Sequence, residues 1–391
     1  MSDDNQIADS DDGVNFERPM QELDTISGRV AAFRDDGEEI TAETLGDASV
    51  QSAVRINVYE NIPFAGGDGD YSVLSVLFGA HSIGEGIFGF LNMIDSNKVR
   101  VQCRECQQAV KDFPWMDSKS QIKRSVKAWR AAFPVARAVN VSERNDITDE
   151  DFVHIRGDAR VRLHTVDIDG CTMVTYAAFI HLRGIHTLNM SGCNQETITD
   201  AAFIHLRGIH TLFIGGCNQE TITDAAFIHL RGIDTLFMGG CNQETITDAA
   251  FIHLRGIHTL NISGCNQETI TDAAFIYLRG IQFLFMRDCN QATITDAAFV
   301  HLRGIKMLFM SNCNQATITE AAFVHLRGIG LLDMTGCNQP TITDAALVNL
   351  VGIQKLDTEG CSRDVRIAAA QVMGIDYESE IDEDEDEDNA E

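Results

Sequence analysis

Eight cysteines, Cys193, Cys217, Cys241, Cys265, Cys289, Cys313, Cys337 and Cys361, recur every 24 residues. A second row runs beside them: His181, His205, His229, His253, His301 and His325, with Tyr277 and Asn349 at two of its positions. Thiols and imidazoles are metal ligands, nucleophiles and proton carriers, so both rows are first read for chemistry. A zinc ion gathers its ligands at about 2.0–2.3 Å, whereas helical rungs about 8–10 Å apart hold one imidazole each. The histidines therefore read as an exposed convex row and not as a metal site. The cysteines sit nearer a strand stack with rungs about 4.8 Å apart, close enough for oxidation on distance alone. They read instead as a buried ladder of reduced thiols, one small apolar residue per rung.

Two further patterns carry chemistry by letters only. Cys103-Arg-Glu-Cys106 is a single pair with no partner pair at zinc-finger spacing, and on a helix both thiols would share one face. Gly84-Glu-Gly86-Ile-Phe-Gly89 spells a dinucleotide fingerprint but opens no strand–helix–strand unit. No nucleophile–base arrangement or phosphate loop stands out. The expectation is a chain that is not an enzyme, with no catalytic, cofactor-binding or metal-ligating residues.

The elements that position these rows are legible in one phrase, Ile185-His-Thr-Leu188-Asn-Met190-Ser-Gly-Cys193-Asn-Gln-Glu-Thr-Ile198-Thr-Asp-Ala-Ala-Phe203-Ile204-His-Leu206-Arg-Gly208, repeated almost unchanged. A unit this short cannot bury its apolar face alone and must stack on its copies, which is a solenoid. Leu188 and Met190 alternate with Asn189, the period of a strand with one buried face. Thr199 is placed to cap a short helix with Asp200 at its positive end. Phe203, Ile204 and Leu206 are expected inward, Arg207 complements the helix end and Gly208 stops it. Stacked strands are closer than stacked helices, so the array should curve with its strands concave. Imperfect units around Val139–Ser142 and Thr165–Cys171 begin it.

The run Ile185-x-x-Leu188-x-Met190-x-x-Cys193, followed by Ile198 to Leu206, resembles the leucine-rich repeat of the cysteine-containing subclass. The resemblance spans about 240 residues, from Val139 to Ile375. It implies an α/β solenoid with parallel strands on a concave face and short helices on the convex one.

Between copies the helix phrase barely changes while the outward strand positions do. After the buried leucine come Asn189, Phe213, Phe237, Asn261, Phe285, Phe309, Asp333 and Asp357; before it comes threonine four times, then Phe283, Met307, Leu331 and Lys355. Phe283, Phe285, Met307, Phe309 and Leu331 should form one apolar patch flanked by Arg287, Lys306 and Asp333. With Phe213 and Phe237, these are the expected partner-binding residues. Rings that merely stack and stiffen the strands are the other reading of the same pattern.

Ahead of the repeats, Ile87-Phe88-Gly-Phe90-Leu91-Asn-Met-Ile94-Asp95, then Lys98 to Cys106, resemble an F-box, the motif that docks on a Skp-type adaptor of cullin ubiquitin ligases, and Trp129-Arg130 leads into the repeats as in F-box proteins with leucine-rich repeats. The resemblance lacks the usual opening Leu-Pro and has Cys106 where Trp is common. It implies adaptor contacts by Ile87, Phe88, Leu91 and Ile94, and Phe88, Leu91 and Ile94 do fall on one helical stripe. A helical cap over the end of the solenoid fits the same residues.

Charge divides the rest. The chain has 391 residues and a formal net charge of −28. Residues 1–71 read as an acidic, largely disordered arm, and 376–391 as an acidic disordered tail with eleven Asp or Glu. Between them, 72–135 form the basic F-box-like module and 136–375 about ten repeats. No run is long and apolar enough for a membrane span, and the acidic start is unlike a signal peptide. The expected place is therefore the cytoplasm or nucleus. Neither membrane nor nucleic acid is expected as a direct partner. The expected function is protein–protein interaction: an F-box-like substrate receptor with its target on the concave face. Two alternatives stay open, a stand-alone repeat scaffold and a resemblance to acidic-tailed repeat proteins that bind histones or activate the Ran GTPase.

Overall fold

In the computed structural model the described residues are 31–34, 39–40, 54–57, 93, 104–157 and 161–375. They fall in two compact units, one of residues Met1–Ser120 with Ala132–Val135 and one of Gln121–Ala131 with Ala136–Glu391. In the first, strands β1 (Ala31–Arg34), β2 (Glu39–Ile40) and β3 (Val54–Asn57) pair antiparallel in the order β2-β1-β3. Ile56 lies inside β3. Helix α1 (Arg104–Asp112) leads to Trp115, which is buried. Its indole N–H donates to Val110 O at 2.8 Å, and its ring meets Phe113 and Phe133 edge-on at 4.7 and 6.0 Å.

The second unit is the leucine-rich-repeat solenoid. Ten three-residue strands, β4 (Ala138–Asn140) to β13 (Lys355–Asp357), form one parallel sheet in strict chain order. Leu212, Leu236, Leu260, Leu284, Leu308 and Leu332 pair in register and are fully buried, as are Met190, Met238, Met286, Met310 and Met334 two residues after the leucine of their own rungs. The opposite side is a single helical turn per rung, Asp248–Phe251 for example, burying Ala250, Phe251 and Leu254. One leucine, one phenylalanine and one thiol per rung therefore make a single continuous core.

The ends of the array are covered. Residue Ile122 extends the first edge by donating its N–H to Asn140 O at 2.8 Å, and Ile122 and Val126 join the core. At the far end helix α2 (Arg363–Met373) buries Val365, Ala369 and Ala370 and stops at Gly374 in the left-handed conformation. No helix among the described residues is long and apolar enough to cross a membrane.

Two expectations are corrected. Ile204 does not face inward: it is 45% exposed, and so at 42–46% are Ile228, Ile252 and Ile276. The turn is one residue too short to bring a fourth side chain round after Ala202, Phe203 and Leu206 have filled the inner face. Rung separation on the helix side is not set by helix girth either. Backbone N–H groups at the helix starts reach the next rung, as Asp224 N donates to Thr245 O at 3.2 Å, so hydrogen bonds set the spacing there.

Candidate functional site

Each rung is tied to the next by side chains, and these ties hold the strand face in place. Thr247 accepts from Ala249 N at 3.1 Å, capping its turn as expected. The following aspartate binds across the gap: Asp248 accepts from Thr271 N at 2.8 Å and from Thr271 Oγ1 at 2.7 Å. Thr269 Oγ1 donates to Ile246 O at 2.8 Å, and Asn242 Oδ1 accepts from Asn266 N at 2.7 Å. Gln243 Nε2 donates to Cys217 O at 3.0 Å. The thiols complete the set, Cys265 Sγ lying 3.1 Å from Met238 O. The sequence signal for these ladders was present, since each type recurs at the same spacing, but a polar residue's partner one rung away is not legible within the rung.

The cysteine row is accordingly a reduced, buried ladder, with Cys171 and the eight periodic cysteines all free. Burial pushes their thiols up, to about 11 at Cys171 and about 12 at Cys193 and Cys289, so they stay protonated and unreactive. The histidine row is interleaved with arginines: Arg183, Arg207, Arg231 and Arg279 each donate Nε to the Nδ1 of the next rung's histidine at 3.1–3.2 Å. Burial first, and then the neighbouring guanidinium, hold His205, His229 and His253 below the ordinary imidazole range. Among the described residues no cluster is arranged to hold a metal. Cys103, Gly84, Gly86 and Gly89 lie outside the described residues, as does the side chain of Cys106.

The strand face brings the proposed partner residues together. Phe213 and Phe237 stack at 4.8 Å and Phe285 and Phe309 at 4.5 Å. Phe237 and Phe285 come within 6.1 Å across the rung that carries Asn261, so the four rings form one line. Beside it Phe283, Met307 and Leu331 pair on consecutive strands. All are half-buried except Met307, at 36% exposed, and Lys306 is exposed at the same edge. Stacking and an accessible patch are both present: the rings cover each other's faces and turn their edges out.

The rim charges differ from expectation. Arg287 and Asp333 do not stand as separate flanks but bridge two rungs at 2.6 Å, with the guanidinium 5.2 Å above the Phe309 ring. Asp333 is 6% exposed. Burial raises its carboxyl, but hydrogen bonds from Ser311 and Thr335, with Arg287, outweigh this and hold it below the usual range. The Arg287 rung and the next one carry Asp288 and Asn312 in the left-handed conformation, φ 56° and 59°, where glycine stands on every other described rung except the first, which has Glu143. Asn312 Nδ2 donates to Asp288 Oδ1 at 2.9 Å. Asp and Asn tolerate that region best among non-glycine residues.

A second imidazole column was missed by sequence reasoning. His164, His186 and His210 stack at 4.4 and 4.5 Å, and His210 Nε2 lies 3.9 Å from Asp234 Oδ2. His164 is held low by burial first, then by His186 and Arg137. These residues sit just ahead of the strands, a position that the reading of the outward columns did not include. The adaptor-binding candidates Ile87, Phe88, Leu91 and Ile94 lie outside the described residues.

No protein-family model matches the chain, and no curated protein matches it in sequence. Among solved structures it is similar to a chain of the Toll–Spatzle complex of Drosophila, with 15% identity and a TM-score of 0.47 over 66% of this chain and 39% of that one. It is also similar to a chain of the TLR13–ssRNA13 complex, with 14% identity and a TM-score of 0.44 over 59% and 37%. A third is a chain of the yeast Rad7–Elc1 complex, with 15% identity and a TM-score of 0.42 over 74% and 89%. The chain thus spans about two fifths of the length of the first two.

Proposed function

We propose that this chain is a protein-recognition receptor that binds a protein target on its strand face, around Phe283, Phe285, Met307, Phe309 and Leu331. The observation that carries the reading is the clamped patch itself. Five apolar side chains lie contiguous on an open sheet, and Arg287 is fixed over one of them, Phe309, by a buried carboxylate. Aromatic and arginine side chains presented together are the usual anchors of protein interfaces. A pre-set guanidinium also spares its share of the ordering cost on binding. The chain's contribution is positioning, not bond-making.

The finer reading rests on sequence. Residues 87–94 would dock a Skp-type adaptor through Ile87, Phe88, Leu91 and Ile94, making the strand face the substrate-receiving end of a cullin ubiquitin ligase. A stand-alone scaffold is the second reading, favoured by Gln121–Ala131, which cover the first strand and so act as a cap. Co-purification of the full chain with a Skp-type adaptor separates them. Binding lost in folded Phe88→Asp and Leu91→Asp variants supports the receptor; a folded wild type that binds no adaptor leaves the scaffold. Affinity capture with wild type and Phe285→Glu, compared by mass spectrometry, tests the strand face. A partner retained by Phe285→Glu at full strength refutes that site.

A further inference from the structure

The helix side carries a feature that target binding on the strands leaves unused. Ile180, Ile204, Ile228, Ile252, Ile276, Val300, Val324 and Val348 form an unbroken ridge, one branched aliphatic per rung, each 40–68% exposed. Single exposed aliphatics are ordinary, whereas a contiguous row marks a contact surface. Three residues earlier in each turn runs a column of small residues, Ala225, Ala249, Ala273, Ala297 and Ala321, all exposed. The ridge therefore has a trough beside it.

Charge is ordered across the same face. The chain crosses it in one direction, so every rung from 200 to 327 presents an acid, then alanine, then the aliphatic, then arginine. Asp224, Ala225, Ile228 and Arg231 are one such set. The acid edge is the half-buried Asp200, Asp224, Asp248, Asp272 and Asp296, held by the next rung's threonines, with exposed Glu320, Glu196, Glu220, Glu244 and Glu268. The basic edge is Arg207, Arg231, Arg255, Arg279, Arg303 and Arg327, all exposed.

We infer that this face binds a second copy of the chain, the two solenoids running parallel about a two-fold axis along their length. That axis exchanges left and right across the face and leaves rung opposite rung. Each aliphatic ridge then lies over the partner's alanine trough, and each arginine column over the partner's acid column. A two-fold across the rungs would set arginine against arginine, which like-charge repulsion disfavours. Isologous pairing of this kind is self-complementary by construction. The net charge of −28 opposes association, but much of the acid lies in the terminal segments and not on this face.

Sedimentation velocity of the full chain over the micromolar range, at moderate salt, tests the inference. The expected result is a concentration-dependent species of twice the protomer mass. In the triple variant Ile228→Ser/Ile252→Ser/Ile276→Ser that species is lost while the melting temperature by circular dichroism is unchanged. A wild type that stays at protomer mass overturns the inference, whether or not it binds anionic vesicles, and so does a triple variant that keeps the doubled species. Orientation has its own test. Ala201→Cys and Ile204→Cys copies, mixed and oxidised, should cross-link to each other. Cross-linking no greater than between two Ala201→Cys copies overturns the parallel arrangement.

Discussion

Replacing Asp248 tests whether the aspartate ladder or the apolar core sets the strength of each rung-to-rung junction. Its carboxylate accepts two bonds from Thr271, at 2.8 and 2.7 Å, and it stands at the start of a helical turn. A hydrogen bond to a charged group contributes about 1.5–3 kcal/mol net, and an acid at a helix start about 0.3–1 kcal/mol. Asp248 is half-buried, so the low ends apply, and Asp248→Ala should cost about 3 kcal/mol. Asp248→Asn keeps an oxygen for Thr271 N–H but presents an amide N–H₂ to Thr271 Oγ1, which already accepts from Ala273 N at 3.1 Å. That variant should lose about 2 kcal/mol. Urea unfolding followed by circular dichroism measures both, with an unchanged slope as the check that the array still unfolds as one unit. Asp248→Ala within about 0.5 kcal/mol of the parent refutes the ladder as a source of stability, and Asn as damaging as Ala refutes a separate contribution from the Thr271 N–H bond.

Neighbouring positions in one turn should differ sharply: Phe251→Ala, fully buried, should cost about 3–5 kcal/mol, and Ile252→Ala, 42% exposed, no more than about 0.5 kcal/mol. Equal losses by thermal unfolding would return the isoleucine to the core. The described thiols should resist a disulfide reagent at pH 8 until urea unfolds the chain, because burial keeps them protonated; rapid labelling of any of them in the native state counts against the buried ladder. Asp333 titrates lower when folded than unfolded, so its stabilisation is complete above about pH 4 and is lost as pH falls through its folded value. The stability gap between wild type and Asp333→Asn should therefore close on acidification, and a gap constant from pH 7 to pH 3 would show that the carboxylate's charge is not what Arg287 and Ser311 hold.

The fold was legible because its information is repeated. Leu260, Met238, Phe251 and Cys265 each occur in a column, and a column at one period fixes which side chains share a face even when a single unit is ambiguous. The strand patch was legible for the same reason, since Phe283, Met307 and Leu331 depart from the threonine of their column. Two kinds of fact were not. The direction of Ile204 depends on how many side chains a single turn can pack beneath itself, which helical periodicity overstates when the turn stops after four residues. The pairing of Arg287 with Asp333 joins residues 46 apart in the chain. From sequence they are two charges beside a patch, because only the stacking of three rungs brings them within reach.

The division between constant and varied positions follows from what each contacts. Every column that touches a neighbouring rung, whether leucine, cysteine, aspartate, threonine, asparagine or glutamine, meets one fixed column of the adjacent copy. A change in the leucine column disturbs the junctions on both sides, and a change in a polar column breaks the junction its side chain makes. The strand columns meet solvent, each other's flanks and local partners such as the Ser263 N–H that donates to Asn261 Oδ1, so a phenylalanine can replace asparagine at the cost of that bond. Ring pairs at 4.5–4.8 Å show that this cost is offset where two replacements fall side by side. Tandem copying supplies rungs that already fit, and change is then tolerated where a partner can read it. Binding specificity in such an array should follow the order of strand-face residues along the stack. Transplanting Phe283, Phe285, Arg287, Met307, Phe309, Leu331 and Asp333 together onto three earlier rungs should therefore move the binding site along the solenoid, whereas transplanting Phe285 and Phe309 alone should not. Partner capture by the grafted chain, with Phe285→Glu and Phe309→Glu silencing the original site, decides it. Failure of the complete set in a folded protein would mean that the target is read elsewhere.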